Sequence, residues 1–238
     1  MLFRKLSSFY PVSGRVEEAF AELCTRQVSF DRQEAILEAG QAYQGIYLIT
    51  EGWVTRFKLL PTGERLIVNF ALPGDFICFN ATLFSKADHF LTAKTAVTAF
   101  ALEKNPFGKL LAQDPALAIA LTWANAQEEA MLAERLASLG RRTARERVAH
   151  LFCELWRRLH LLGLTDNDRF PLPITQEDLA DTLGLSAVHV NRTLRQLRAE
   201  GLIELGTSHV RVLSKQGLEA VAGFDEGYLH FTEVQHLL

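Results

Sequence analysis

The chain has 238 residues, 48% hydrophobic and 22% charged, the profile of an ordinary globular protein long enough for two domains. Its net charge of −3 is unevenly spread: 12 basic residues exceed 9 acidic ones between Arg141 and Lys215, whereas 13 stand against 19 elsewhere. No apolar run is long enough to span a membrane, no signal region opens the chain, and the three scattered cysteines exclude a disulfide framework or a CxxC metal site, so a cytoplasmic protein is expected.

Arg15 to Thr25 predicts a helix leading into a β-rich stretch from about Ala35 to Leu102. Within it, Ile46–Ile49, Trp53–Phe57, Leu66–Phe70 and Phe76–Phe79 are short runs of β-branched and aromatic residues. Glu51-Gly52, Pro61-Thr62-Gly63 and Pro73-Gly74-Asp75 punctuate them as turns. Short strands so spaced predict an antiparallel, jelly-roll-like β-roll. Beyond Asn105-Pro106, Phe107–Gln113 reads as a short helix, and Asp114-Pro115 opens a long one to about Leu139.

That long helix carries an approximate stripe of Leu117, Leu121, Ala124, Met131 or Leu132, Leu136 and Leu139. At 1.5 Å per residue it reaches about 37 Å, more than one domain needs. The plain reading is packing on its own β-roll; the sharper one is a homodimer contact through Leu117, Leu121, Ala124, Leu132, Leu136 and Leu139. Gly140 is read as the break and hinge. The expected organisation is therefore α+β: a β-roll sensor over 1–113, a dimerisation helix over 114–139 and a second domain over 140–238.

Arg141–Arg147 opens a helix whose inner face is Val148, Leu151, Phe152, Leu155 and Leu159. A short strand follows Thr165–Asp168, and then two short amphipathic helices meet at a glycine. Thr175 and Asp178 have capping-box spacing, Leu179 and Leu183 face inward, Gly184 makes the turn and Ser186 caps the second helix. There Val190, Leu194 and Leu197 face the core, leaving Ala187, Val188, His189, Asn191, Arg192, Arg195 and Gln196 outside. No acidic residue lies between Ser186 and Ala199. A plain helical hairpin does not explain that outer face; a helix-turn-helix does, with Thr175, Gln176, Ser186, Ala187, Val188, His189, Asn191, Arg192 and Arg195 against double-stranded DNA. Leu202–Leu205 and Val210–Leu213 around Gly206–His209 predict a β-hairpin wing. Ser214 caps a last helix to Val221, and Phe224–Leu238 reads as half-helical with no assigned role.

This order of β-roll, long helix, hinge and winged helix-turn-helix resembles the Crp/Fnr family of bacterial transcription regulators over about Arg15 to Val221. The most specific matches are Gly45–Gly52, Leu72–Phe76, Thr175–Gly184 and Val190–Leu194. The resemblance implies a two-fold dimer on an inverted repeat, RNA polymerase as a partner, and a small-molecule effector in a roll pocket near Gly74, Asp75, Cys78, Asn80, Asp88 and His89. Cyclic-nucleotide-binding members hold the phosphate with an Arg followed by a hydroxyl residue. Here those positions fall at about Ala87 and Asp88, so a phosphodiester would meet a carboxylate and no cation. A carbon-monoxide-sensing member ligates haem with a cysteine near Cys78 and a histidine where Asn80 stands here. No cofactor is therefore expected; haem or redox sensing is the alternative, and Cys78 reads as a core residue and His89 as a surface one. An enzyme of the metal-holding β-roll type would need clustered His and Glu ligands, and His89 is the only histidine between Ala35 and Leu102.

Overall fold

The computed structural model describes Lys5 and residues 14–231. In chain order the elements are α1 (Gly14–Leu23), β1 (Gln27–Phe30), β2 (Ala35–Leu37), β3 (Ile46–Glu51), β4 (Val54–Leu59), β5 (Arg65–Ala71), β6 (Phe76–Ile77), β7 (Phe90–Ala93) and β8 (Val97–Leu102). The helices α2 (Lys104–Gln113), α3 (Pro115–Arg141) and α4 (Ala144–Leu161) follow. The chain then forms β9 (Arg169–Pro171), α5 (Gln176–Leu183), α6 (Ala187–Ala199), β10 (Ile203–Leu205), β11 (His209–Val212) and α7 (Lys215–Ala222). Two compact units result, and the division falls inside α3, between Ala126 and Gln127.

The first unit is the expected β-roll. Two antiparallel four-stranded sheets, ordered β1-β8-β3-β6 and β2-β7-β4-β5, enclose an apolar core. Ile46, Ile49, Val54, Leu91 and Val97 fill it from the strands, each almost fully buried, as alternating inward positions require. Phe20 of α1 and Phe107 of α2 close one end on Phe76 and Phe79, ring centroids 6.0–6.4 Å apart in edge-on or tilted pairs. Leu117, Ala120 and Leu121, from the first turns of α3, belong to this same core. Their burial corrects the expected dimer stripe: Leu117 and Leu121 pack within their own chain.

In the second unit α4 is the central post. Val148, Leu151, Phe152, Leu155 and Leu159 are buried as its 3.6-residue period predicts. Thr143 caps it in a full capping box with Glu146. Gly140 does not break α3, which continues to Arg141; a helical glycine costs only about 1 kcal/mol against alanine, and the real interruption is at Arg142-Thr143. The wing is a three-stranded antiparallel sheet, β10-β11-β9, so β9 is its third strand.

The segment after α7 forms a 3-10 turn over Glu226–Leu229, and residues 232–238 of the expected half-helical stretch lie outside the described residues. Phe224 and Tyr228 enclose His150, with ring centroids 5.2 and 5.7 Å away. Tyr228 Oη donates to Glu154, Gln127 donates to the Leu229 carbonyl, and Glu226 pairs with Arg157. Glu154, 3% exposed, also lies 3.2 Å from Arg135 and 3.7 Å from Arg158. This tail therefore tethers the second half of α3 and α4 to each other.

Candidate nucleic-acid interface

α5 and α6 form the helix-turn-helix from local chemistry. Asp178 N–H donates to Thr175 Oγ1 at 3.1 Å and Thr175 N–H donates to Asp178 Oδ2 at 2.7 Å, so both orphan amides at the start of α5 have partners. Gly184 ends α5 at φ 60, the left-handed conformation that glycine adopts without penalty. Ser186 Oγ accepts from His189 N–H and caps α6. Val190, Leu194 and Leu197, all under 5% exposed, fix α6 on the core and so fix which side chains point outward.

Ala187, Val188, His189, Arg192, Arg195, Gln196 and Arg198 are exposed, and Asn191 is half-buried. Asn191 Nδ2 donates to Gln176 Oε1 at 3.0 Å, which brings the start of α5 onto the same surface. The Ser186 hydroxyl lies 3.1 Å from His189 Nδ1, leaving Nε2 of that ring outward. Val188 is 78% exposed, an apolar side chain presented at the very start of the helix. Of the sequence-predicted DNA residues, Thr175, Gln176, Ser186 and the outward α6 residues are thus gathered on one face.

Charge separates this face from the rest of the unit. Arg135, Arg142, Arg145, Arg157 and Arg158 each face a carboxylate. The guanidiniums of Arg192, Arg195 and Arg198 have no partner among the described residues. Three cations on one helix without a counter-charge repel each other mildly and are positioned to receive an external anion. Arg198 was not among the predicted contacts. With Arg195, Ala199, Ile203, Glu204 and Leu213 it lines a cleft of about 480 Å³ between the end of α6 and the wing. Its signal was the i, i+3, i+6 run of arginines.

The candidate effector residues serve the roll itself. Gly74 (φ 88) and Asp75 form a tight turn in which Gly74 N–H donates to the Ile49 carbonyl at 2.8 Å and Asp75 Oδ2 accepts from Leu72 N–H at 2.9 Å. Lys5 also pairs with Asp75. The Asn80 carbonyl accepts from Leu83 and Phe84. Cys78 is 6% exposed, and burial pushes its thiol up to about 12, so it is a protonated core residue. Two expectations are corrected here. His89 is buried, not on the surface, with Nδ1 2.8 Å from Asp88. Asp88 does have a cation: Lys58 Nζ lies 2.6 Å away, and with His89 it holds that carboxyl well below the usual range. Both follow from strand register, which sets the end of β4 beside the start of β7.

Residues 27–114 match the cyclic nucleotide-binding domain and residues 146–221 the Crp-like helix-turn-helix domain. The chain is 34% identical to the nitrogen fixation regulation protein FixK of Bradyrhizobium diazoefficiens, over 83% of this chain and 82% of that protein. It is also 34% identical to the transcriptional activatory protein AadR of Rhodopseudomonas palustris, over 88% and 86% of the two chains. Among solved structures, FixK2 of Bradyrhizobium japonicum superposes with a TM-score of 0.75 at 27% identity, covering 82% of this chain and 96% of that one.

Proposed function

This chain belongs to the Crp/Fnr family of DNA-binding transcription regulators, and we propose that it acts as a homodimer whose two α6 helices read an inverted repeat. The observation that carries the reading is the unpaired arginine row, Arg192, Arg195 and Arg198, on a helix without an acidic residue. Arg192 approaches a guanine edge, where a guanidinium contacts O6 and N7 together. Val188 offers only apolar contact, which suits a thymine methyl. Thr175, Gln176, Ser186, Ala187, His189, Asn191 and Arg195 complete the surface through base and phosphate contacts. Arg198, in the cleft beside the wing, takes a phosphate.

The dimer forms along the outer face of α3. Thr122, Ala126, Glu129, Ala133 and Leu136 recur there at four and three residues and are all exposed, with Leu136 71% exposed. Small residues at that spacing let two helices approach closely, and Leu136 is the apolar knob. Of the expected stripe, Leu136 stays on this face and Ala124 and Leu132 flank it, each half-buried. RNA polymerase is the partner that a regulator so placed on DNA recruits or blocks. The effector of the roll is not a cyclic nucleotide: Ala87 occupies the clamp position and is 5% exposed, and Asp88 keeps its carboxylate beside Lys58. The chain works as a regulator, without enzymatic turnover.

Salt dependence tests the phosphate side of this reading. Arg195→Ala and Arg198→Ala should each weaken binding to all sequences alike and reduce the slope of log K against log salt by about 1. A slope that neither substitution changes would exclude those two guanidiniums from the interface.

A further inference from the structure

The Arg147 side chain, on the first turn of α4, is shared between two helix ends. Its Nε donates to the carbonyl of Arg142, just past α3, at 2.9 Å. Its Nη1 donates to the carbonyl of Leu183, the last residue of α5, also at 2.9 Å. Terminal carbonyls lack intrahelical partners and carry the negative end of the helix dipole, so one guanidinium answers both ends at once. A second contact lies beside it. A Cβ built on Gly184 would sit 3.3 Å from Leu139 Cδ2 and 3.8 Å from Arg147 Nη1. Leu139, which the sequence placed in the dimer stripe, therefore packs on the turn of its own helix-turn-helix. All five residues lie within the Gln127–His230 unit.

We infer that Arg147 is a positioning residue for operator recognition: it holds the α5–α6 pair in one pose against the end of α3. In a dimer joined through α3, that pose sets the separation at which the two α6 helices meet DNA. The inference rests on the proposed α3 dimer and its inverted repeat. The chemistry favours arginine over lysine. A planar fork donates in two fixed directions to two carbonyls, whereas an ammonium on a flexible stem fixes neither. Arg147 lies outside the outward set of α6, so its loss leaves the reading surface intact and frees only its placement.

Operators with one base pair added or removed between the half-sites give the readout. Each such change moves one half-site by about 3.4 Å and turns it by about 34°. The full-length wild type should bind these operators roughly tenfold more weakly than its best one. Arg147→Met keeps the aliphatic stem and should reduce that penalty to about threefold or less, while a single base change within a half-site stays as costly as before. Arg147→Lys should fall between the two. Circular dichroism and sedimentation establish that each variant is folded and dimeric; if Arg147→Met is not, Leu139→Ala removes the second contact and takes its place in the comparison. A variant that loses affinity for every operator equally, keeping the wild-type spacing penalty, has a merely structural defect and overturns the inference. A wild type indifferent to spacing overturns the inverted-repeat reading on which it stands.

Discussion

His150 gives the second unit a pH dependence whose sign follows from its surroundings. The imidazole is 4% exposed, stacked flat on Tyr228 and edge-on to Phe224. Its Nε2 lies 3.2 Å from Glu134, but that carboxylate is already held by Arg142 at 2.6 Å. Burial first, then the Arg142 and Arg135 charges, disfavour the imidazolium; Glu134 favours it and is outweighed, leaving the pKa at about 4 against 6.5 unperturbed. The unfolded chain thus binds a proton that the native unit refuses. The stability from keeping His150 neutral is fully present above pH 6.5 and declines as the pH falls toward 4. Between pH 7.5 and 5 the loss is about 2 kcal/mol by linkage. His150→Phe keeps the aromatic packing and cannot titrate. Hydrogen exchange of the α4 amides, followed in both proteins across that range, should show wild type losing about 2 kcal/mol more protection than the variant. Parallel pH profiles would refute the reasoning, because they would mean that His150 titrates alike in native and unfolded chains.

Arg192→Ala should weaken operator binding by about 1–3 kcal/mol and relax preference at one base pair of each half-site; competition binding with single-base operator variants measures it, and full retained selectivity counts against the assignment. Leu136→Glu should dissociate the dimer and lower operator affinity while leaving circular dichroism unchanged. Leu121→Glu, at a site 2% exposed in the roll core, should instead unfold the first unit. Losing a phosphate-binding arginine costs about 2–5 kcal/mol, so calorimetric titration with cyclic AMP should show no micromolar binding. Such binding, accompanied by tighter operator affinity, would relocate the pocket.

The parts legible in the sequence are those written locally. Thr175, Asp178, Gly184 and Ser186 specify two caps and a turn within a dozen residues, and the burial of Val190, Leu194 and Leu197 follows from spacing alone. What was misread depends on partners far along the chain. The apolar residues of α3 do not reveal which face their own roll covers, so Leu117 and Leu121 joined Leu136 in one stripe although the first two are core. Lys58 and Asp88 meet only through the β4–β7 register, and nothing near His89 announces that it is buried. Phe224 and Tyr228 looked like an aimless tail because their targets, His150 and Glu154, lie about 74 residues upstream. The division between the units was equally hidden: Gly140 is a conspicuous breaker, yet the helix passes through it.

Selection of full-length protein on a pool of random-sequence duplexes, with sequencing of the bound fraction, tests the central claim most directly. The account predicts two copies of one short motif in inverted orientation, centred about 34 Å or one helical turn apart, each containing a guanine opposite Arg192. Enrichment of single or directly repeated motifs, or of no motif, would contradict it.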